Sequence, residues 1–451
     1  MILTSGIARK FIFSLFRLIQ HSFPMNIKIV FTLFALLLCH TIAFAQTIKP
    51  QYQEQVSALT EKPEIKKAFD YIREIDDETI ADMITLTEIP APSYHEEEKG
   101  KAFAEMLKAA GADSVWTDEV GNVIGLRKGT KREKTILVEG HLDTVFPFGT
   151  DVTVKQRGDT LFAPGIGDAS RSIAMVVALL KTMTANDLKA EQDIWFAGTV
   201  GEEGLGDLYG VKHLFREGAH PLAAHIAIDG GGLEDIVNGG IGSLRYKVTF
   251  KGSGGHSYGA FGIGNPHNAL SQAVVAFIPK ADDFTKDGPK TTYSISVLGG
   301  GTSVNSIPYE SWMLVDMRSE SQENLKGINA LFIKSMEEGL EKENQIIRRG
   351  KPLTVDIEKV GDRPSGLASP ESPLIQQTMA IANFLTGKEP RLSSSSTNSN
   401  IAFSKGIPAV TIGRGGEGGG VHSLDEWWMN KDGYLGIQQA LLLTLMQAGY
   451  K

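Results

Sequence analysis

The apolar segment at residues 195–200 leads directly into Gly201 and two adjacent glutamates, Glu202 and Glu203. Such a run is typical of a buried strand, and the two acids then stand where its carboxyl end opens into a loop. In a parallel sheet, ligands bind at that end of the strands. Successive residues of an extended segment point to opposite sides, so one carboxylate can bind a metal while the other acts as a base. Taken alone, such a pair is more often a solvated acidic turn, and its meaning depends on the rest of the chain.

Strand and helix patterns alternate on both sides of this segment. The predicted strands are residues 122–126, 135–139, 193–197, 224–229 and 409–412. The predicted helices are residues 172–183, 209–215, 372–386 and a last one that begins at residue 433. Strands separated by helices form a sheet that carries helices on both faces, so the alternation predicts an α/β fold.

Two local features supplement this pattern. Ser93 and Glu96 have the spacing of a capping box, in which both side chains satisfy free amides at the start of a helix. We expect this helix to end at Gly111. The serine run at residues 393–396 is too short for a low-complexity segment and predicts a loop.

The pattern changes after residue 240. Residues 244–250 alternate polar and apolar side chains, as in a sheet with one wet face. A helix, two strands, a helix and a strand follow, at residues 266–278, 292–297, 310–317, 323–341 and 353–358. The whole series is β-α-β-β-α-β, which is a ferredoxin-like unit. We therefore predict a mixed-sheet catalytic domain formed by residues 46–240 and 359–451, with residues 241–358 inserted as a second, α+β domain.

The N-terminus has the features of a secretory signal peptide. A basic start at Met25 precedes an apolar core at residues 29–42, and residues 43–45 have the small-x-small form that signal peptidase cleaves. We predict residues 1–45 to be the signal peptide, with Met25 as an alternative start, and the mature protein to be periplasmic or secreted. A retained membrane anchor is the alternative, although the apolar core is short for a spanning helix.

Composition narrows the chemistry that is available. The one cysteine, Cys39, lies within the predicted signal peptide. The mature protein would then have neither a disulfide nor a thiolate ligand, and a metal site would have to use His, Asp and Glu. The net charge is −8 at pH 7 and the basic residues are scattered, which argues against nucleic acid as a partner.

Further acids and histidines stand at strand ends or in glycine turns. They are His141 and Asp143 after the strand 135–139, Asp168 before the helix 172–183, Asp229 at a strand end, and His422 after a glycine-rich loop. Singly, each is also typical of a helix cap, a turn or an exposed loop. Together with the glutamate pair they supply ligands suited to zinc, manganese or cobalt. Five ligands are too many for one catalytic zinc, but they suit two ions that share a carboxylate.

The order and wording of these motifs resemble the di-zinc exopeptidase and deacylase family, which includes peptidase T, glutamate carboxypeptidase, aminoacylase, carnosinase and succinyl-diaminopimelate desuccinylase. The resemblance runs from about residue 80 to the end of the chain and is closest in wording to peptidase T. It implies two zinc ions that are bridged by Asp168. His141 and Asp229 would complete one metal site, and Glu203 and His422 would complete the other.

The same resemblance implies the remaining roles. Glu202 would be the general base, and Asp143 would support a metal-binding histidine. The inserted unit resembles the family's lid and dimerisation domain, which implies a homodimer. His256 matches the histidine that polarises the scissile carbonyl, typically from across the dimer. Asn305 matches a substrate-binding asparagine, and Arg318 matches an arginine that could clamp a substrate carboxylate.

We therefore expect a di-zinc metallopeptidase, a di- or tripeptide exopeptidase that uses metal-activated water and a glutamate base. An N-acyl-amino-acid deacylase or glutamate carboxypeptidase with the same site is the alternative. Asn398, where many relatives have aspartate, would remove a charge near the substrate and favours a blocked amine. A non-catalytic metal- or peptide-binding protein is an alternative of another class, which the complete ligand set disfavours. We expect no stable membrane anchor if the signal peptide is cleaved.

Overall fold

The computed structural model describes residues 47–450. Its helices are α1 (Pro50–Thr60), α2 (Pro63–Glu74), α3 (Asp76–Thr87), α4 (Glu97–Ala109), α5 (Ser172–Ala185), α6 (Tyr209–Leu214), α7 (Pro266–Phe284), α8 (Gln322–Ile346), α9 (Pro373–Thr386), α10 (Ser399–Ser404) and α11 (Tyr434–Ala448). Its strands are β1 (Ser114–Thr117), β2 (Val123–Arg127), β3 (Thr135–His141), β4 (Lys155–Arg157), β5 (Thr160–Phe162), β6 (Asp193–Thr199), β7 (Ala224–Gly230), β8 (Asp235–Gly240), β9 (Gly242–Lys251), β10 (Gly255–His256), β11 (Thr291–Gly300), β12 (Ser306–Ile307), β13 (Glu310–Ser319), β14 (Thr354–Arg363), β15 (Gly366–Leu367), β16 (Arg391–Ser395), β17 (Ala409–Gly413), β18 (Glu417–Gly419) and β19 (Trp427–Met429).

The larger sheet of the described chain has nine strands. Eight follow the order β1-β2-β6-β3-β7-β17-β8-β15, and β16 pairs with β8. β3 is parallel to β6 and β7, and β17 is parallel to β7. β2 pairs antiparallel with β1 and β6, and β15 pairs antiparallel with β8. The predicted α/β class with a mixed sheet is therefore confirmed.

The centre of this sheet is covered on both faces. All seven residues of β3 are buried, and α5 buries nearly its whole length against it. A strand that is buried on both faces needs an apolar run rather than an alternating pattern, which agrees with the apolar residues 136–138 in the middle of β3. The acids and the histidine that follow these apolar runs are therefore placed at the carboxyl edge of the sheet.

A second sheet of four antiparallel strands has the order β11-β13-β9-β14. In chain order its elements are β9, α7, β11, β13, α8 and β14, so the predicted ferredoxin-like unit is confirmed. α7 and α8 pack against β9 and β13, around an apolar core that is separate from the core of the larger sheet. The domain boundaries at 240/241 and 358/359 stay predictions, and β14 continues to Arg363.

The predicted capping box at Ser93 is wrong. α4 begins at Glu97, and its N-cap residue, Glu96, makes no side-chain cap. The Ser93 hydroxyl donates instead to a carboxylate oxygen of Asp143 at 2.7 Å, and the Glu96 carboxylate accepts the N–H of Gly201 at 3.0 Å. Both side chains bond to loops at the carboxyl edge of the larger sheet, which are distant in sequence.

The predicted loop at the serine run is wrong over most of its length. β16, Arg391–Ser395, pairs in parallel with β8. A strand with a neighbour on one side only is partly exposed, so it can be built from serines without an apolar run. The pattern of apolar residues in the sequence therefore did not indicate this strand.

The predicted signal peptide lies outside the described residues. Within residues 47–450, no helix combines the length and the apolar character that crossing a membrane requires.

The two helices of the second sheet approach each other closely at Gly339. A Cβ added to Gly339 would lie 2.5 Å from both the backbone nitrogen and the Cβ of Ala273. We expect Gly339→Val to push the helices apart and to lower the free energy of unfolding by about 1–3 kcal/mol, as overpacking does. Ala330→Val, on the exposed side of α8, is the matched control. Urea denaturation followed by circular dichroism measures both, and equal stability of the two variants would contradict the close approach.

Candidate metal centre

Three neighbouring strands carry predicted site residues to one edge of the larger sheet. β3 ends at His141, β6 leads into Glu202 and Glu203, and β7 contains Asp229 just before its last residue. These strands lie in the order β6-β3-β7 and are parallel. Their carboxyl ends therefore meet, which is where sheets of this kind bind ligands.

Asp168 is shared by two groups of potential metal ligands. Ligand atoms of His141, Asp168 and Asp229 lie within 4.8 Å of one another, and so do those of Asp168, Glu203 and His422. Imidazole nitrogens and carboxylate oxygens are the donors that zinc and related divalent ions use in proteins. These residues could therefore hold two metal ions, and Asp168 belongs to both groups.

The carboxylate of Asp143 holds the glutamate pair through the backbone. Asp143 is fully buried, and its two oxygens accept the N–H groups of Glu202 and Glu203, both at 2.9 Å. His141 Nδ1 lies 3.0 Å from the carbonyl oxygen of Asp143 and 3.4 Å from its Oδ1. Asp143 thus contacts the histidine that it was predicted to support. It also fixes the loop that carries the two glutamates, which the sequence analysis did not foresee.

Glu426 holds the turn that presents Asp168. Its buried carboxylate accepts the backbone N–H groups of Gly165, Gly167 and Asp168 at 2.7, 3.0 and 2.9 Å. The peptide bond after Asp168 is cis. Sequence reasoning missed Glu426, although it follows the predicted ligand His422 by four residues in the same loop.

Positive charge is concentrated around the shared carboxylate. Arg414 Nη2 lies 2.9 Å from Asp168 Oδ1 and also donates to Asp229 Oδ1. Hydrogen bonds to Asp168 and Glu203 raise the pKa of His422 to about 10. Buried carboxylates require cationic partners or hydrogen bonds. Because divalent ions are also cationic partners for carboxylates, this cluster is suited to bind them.

Glu202 lines a cavity of about 540 Å³ beside these ligand groups. It is 5% exposed, and one of its oxygens lies within 4.8 Å of ligand atoms of His141 and Glu203. Burial raises the pKa of Glu202 to about 8, although the positive charges of Arg363 and His141 oppose the shift. A carboxylate whose pKa is close to neutral can take a proton from water and pass it on. Arg318 lines the same cavity.

Two predicted residues lie outside the cavity. His256, in β10, and Asn305, just before β12, are both exposed. β10 pairs with β12, and the N–H of Ser257 donates to the carbonyl oxygen of Asn305 at 2.9 Å. The two residues are therefore neighbours of each other, but within one chain they do not line the cavity that contains Glu202.

Asn398 does not face the cavity either. It is 2% exposed, and its Nδ2 donates to Glu139 and Thr199 at 3.0 and 2.9 Å. The cavity is lined instead by residues 395–397. The expectation that Asn398 removes a charge near the substrate is therefore wrong, and it no longer favours a blocked amine.

Sequence reasoning missed most of the arginines of the site. Arg245, Arg363 and Arg414 line the cavity together with Arg318. Arg414 stands between glycines just after β17, a position that could have been noticed. Arg245 and Arg363 belong to strands of the second sheet and carry no local signal.

Comparison with known proteins identifies the family. The sequence pattern described as Peptidase family M20/M25/M40 matches residues 137–446. A succinyl-diaminopimelate desuccinylase of Nitrosospira multiformis is 25% identical over 345 residues, which are 72% of this chain and 83% of that protein. The cytosol non-specific dipeptidase of Escherichia coli is 25% identical over 62% of this chain and 60% of its own length. A hydrolase of Pyrococcus abyssi is 35% identical, but the match spans only 34% of that protein.

Solved structures share the fold over most of the chain. The dipeptidase Dug1p of Saccharomyces cerevisiae has a TM-score of 0.67 at 14% identity, covering 85% of this chain and 98% of that one. Aminopeptidase PepT of Bacillus cereus has a TM-score of 0.63 at 19% identity, covering 81% and 97%. YXEP of Bacillus subtilis, described as a dinuclear metal-binding peptidase, has a TM-score of 0.60 at 14% identity, covering 83% and 99%. At these identities the likeness concerns the fold.

Lys99 is a buried cation behind the centre. It lies in α4 and is 2% exposed, and burial lowers its pKa to about 8 against the attraction of Asp143, Glu96 and Glu426. In the unfolded chain the ammonium keeps a pKa near 10.5. Below pH 8 both states hold the proton and the native state bears the cost of burying it. Between pH 8 and 10.5 the native lysine releases its proton first, so stability rises with pH.

We expect Lys99→Met to increase the free energy of unfolding by up to about 3 kcal/mol below pH 8, because the buried charge is gone. The gain should shrink as the pH approaches 10.5. Lys101→Met, at an exposed position of α4, is the control and should change stability by less than about 0.5 kcal/mol. Urea unfolding of both variants at pH 7 and pH 10 makes the comparison. If Lys99→Met were less stable than the wild-type protein at pH 7, the buried charge would not carry the cost described above.

Proposed function

Because the chain belongs to Peptidase family M20/M25/M40, we propose that it is a di-zinc metallopeptidase that removes terminal residues from di- and tripeptides. The dipeptidase of Escherichia coli among its relatives and the aminopeptidase PepT among its structural neighbours support this choice. Manganese or cobalt would suit the same nitrogen and oxygen ligands. Zinc is proposed because imidazole nitrogens and carboxylate oxygens are both among its usual protein ligands.

One observation carries the proposal: the two ligand groups share Asp168, and Glu202 lies beside both. In this arrangement His141 and Asp229 would hold one ion, and Glu203 and His422 would hold the other. An oxygen of Glu202 also lies within 4.8 Å of ligand atoms of His141 and Glu203, and in this proposal Glu202 is the base rather than a ligand. An isolated zinc site would not need a carboxylate that is common to two ligand groups.

Glu202 and Asp143 have different roles in the proposed hydrolysis of a peptide bond. When bound, the two ions would lower the pKa of water and polarise the scissile carbonyl. Glu202 accepts a proton from the attacking water as the new C–O bond forms. It then gives this proton to the departing nitrogen as the C–N bond breaks, so it returns to its ionised state. Asp143 keeps Glu202 in place through the backbone N–H.

Arg318 supports exopeptidase rather than endopeptidase activity. Its side chain is 43% exposed, and its Nε donates to Asp316 at 2.7 Å. The other guanidinium nitrogens remain available to a substrate carboxylate, which an arginine can bind through two hydrogen bonds. A free terminal carboxylate close to the scissile bond is found only in a short or terminal substrate.

An N-acyl-amino-acid deacylase, or a glutamate carboxypeptidase, is the second candidate, and one observation favours it. The carboxylates that line the cavity are Asp168, Glu202, Glu203 and Asp229, and all of them are ligands or the base in this proposal. None is left to pair with a free substrate amine. One relative is named succinyl-diaminopimelate desuccinylase, and this name describes a substrate whose amine is blocked.

We also propose that the protein is a homodimer in which His256 and Asn305 complete the cavity of the other chain. Large apolar side chains close to them are exposed: Tyr258 by 90%, Phe261 by 67% and Val304 by 103%. Exposed apolar patches of this kind mark interaction surfaces. For the mature protein we propose a periplasmic or secreted location, from the signal-peptide features of residues 1–45.

Glu202→Gln is expected to reduce kcat by about 10²–10⁴-fold, because it removes the base. Two metal ions per chain should remain bound, since Glu202 is not a proposed ligand. His422→Ala should instead lose one of the two ions. Peptide hydrolysis and elemental analysis of the purified proteins measure both effects, with the exposed Glu98→Gln as a control. Undiminished turnover by Glu202→Gln would refute its role.

The wild-type, zinc-loaded mature protein is expected to cleave a free tripeptide and to leave its N-acetylated form intact. The matched pair differs only in the charge of the amine, so it tests which substrate the cavity accepts. Chromatographic detection of the released amino acid is the measurement. Cleavage of the acetylated form alone would replace the peptidase by the deacylase. Cleavage of neither form would count against both candidates.

A further inference from the structure

One arginine of the second sheet reaches into the metal centre. Arg363 is the last residue of β14, which pairs with β9, and its side chain is only 4% exposed. Nη1 donates to Glu202 Oε1 at 3.2 Å and to Ser396 Oγ at 3.1 Å. Nη2 donates to the backbone carbonyl oxygen of Glu202. The guanidinium therefore holds this glutamate by both its side chain and its backbone.

Further contacts join the same loop to the second sheet. The N–H of Asp362 donates to both carboxylate oxygens of Asp207, each at 2.9 Å. Arg245, in β9, donates to the carbonyl oxygen of Gly204. The loop from Glu202 to Asp207 is thus attached to β9 and β14 on one side. On the other side, its first amides are held by Asp143 of the larger sheet.

The hydrogen bonds of Arg363 leave it little capacity to bind substrate. Both terminal nitrogens are engaged, and the remaining Nε is buried 3.9 Å from an oxygen of Asp207. Arg318 differs, because it is 43% exposed and uses only Nε within the protein. Arg363 therefore acts through Glu202, whereas Arg318 is free to meet a substrate directly.

The two arginines occupy one row of the second sheet. Arg318 in β13 and Arg363 in β14 both pair with Ser243 in β9. Residues that are paired across neighbouring strands point to the same face, and two strand spacings separate these positions by about 10 Å. A rigid sheet therefore sets the distance between the group that would clamp a substrate carboxylate and the group that holds Glu202.

We propose that Arg363 is a positioning residue that fixes Glu202 at a set distance from the Arg318 clamp. Arg363 binds Oε1 of Glu202, while Oε2 has no hydrogen-bond partner among residues 47–450. The held oxygen fixes the orientation of the carboxylate, and the other oxygen is left to accept the proton. The proposal rests on the proposed function in so far as Glu202 is the base. It adds that the second sheet, through Arg363, determines where that base stands relative to the substrate.

The test compares Arg363→Met, Arg363→Lys and Arg318→Met with the control Arg391→Met, which replaces a surface arginine that is 67% exposed. All proteins are metal-loaded, and their metal content is measured. Arg363→Met is expected to lower kcat by about 10²-fold, as a misplaced catalytic group does, with little change in KM. Arg363→Lys keeps the charge but replaces the planar guanidinium fork by a single ammonium nitrogen, so its kcat should be intermediate. Arg318→Met should mainly raise KM.

Hydrogen exchange supplies a measurement that does not depend on activity. Amide exchange in residues 202–208 of the metal-loaded protein should become faster in Arg363→Met and stay unchanged in Arg318→Met and Arg391→Met. Unchanged exchange in Arg363→Met, or an unchanged kcat with a raised KM, would overturn the positioning role. If the wild-type protein cleaves no peptide, the proposed function fails, and the exchange result still decides whether Arg363 holds the Glu202 loop. Should Arg363→Met fail to fold, Arg363→Lys carries both measurements.

Discussion

Mutual repulsion among buried carboxylates at one edge of the sheet is the constraint to which the rest of the centre responds. These acids have cationic or hydrogen-bonding partners: Asp143 accepts two backbone N–H groups of the glutamate loop, Asp168 contacts Arg414 and His422, and Glu202 contacts Arg363. Without such partners these charges would be too costly to bury. The same concentration of negative charge is what suits the edge to two divalent ions, because each ion replaces repulsion by attraction at several oxygens at once.

The two sheets contribute opposite charge to this centre. The larger sheet supplies His141, Glu202, Glu203 and Asp229 at the ends of its parallel strands, while Asp168 and His422 come from connecting segments beside this edge. The antiparallel sheet supplies Arg245, Arg318 and Arg363 from one face. Ion pairs and hydrogen bonds therefore join the antiparallel sheet to the loop from Glu202 to Asp207. Directional contacts of this kind specify how the sheets meet, since a shift of one would break bonds at several points. The cavity lies at this boundary, where ligands would contact both sheets.

Much of the architecture could be predicted because its causes are local. The apolar run of β3 and the alternating side chains of β9 show in the sequence, since a residue's side of a strand follows from its spacing alone. Three of the proposed ligands, His141, Glu203 and Asp229, could be picked out for a related reason: a polar residue at the end of an apolar strand stands at the ligand-binding edge. His256 and Asn305 could be matched only by resemblance, and the single chain does not bring them to the cavity. The Ser93 capping box and the serine loop were wrong because distant partners outweighed weak local preferences.

Order along the chain was thus sufficient for the fold class and for the residues that converge on one edge. Tertiary packing determined which distant residues bond to these acids. Ser93 bonds to Asp143 from 50 residues away, Glu426 to the amide of Asp168 from 258 residues away, and Arg363 to Glu202 from 161 residues away. Asn398 could not be placed from the sequence for the same reason. Its neighbours in sequence line the cavity, but its own side chain is buried against Glu139. The hydrophobic periodicity of a segment indicates which side of its own helix or strand a residue faces. It contains no information on contacts between segments that meet only after both sheets have packed, and those contacts orient the proposed catalytic groups.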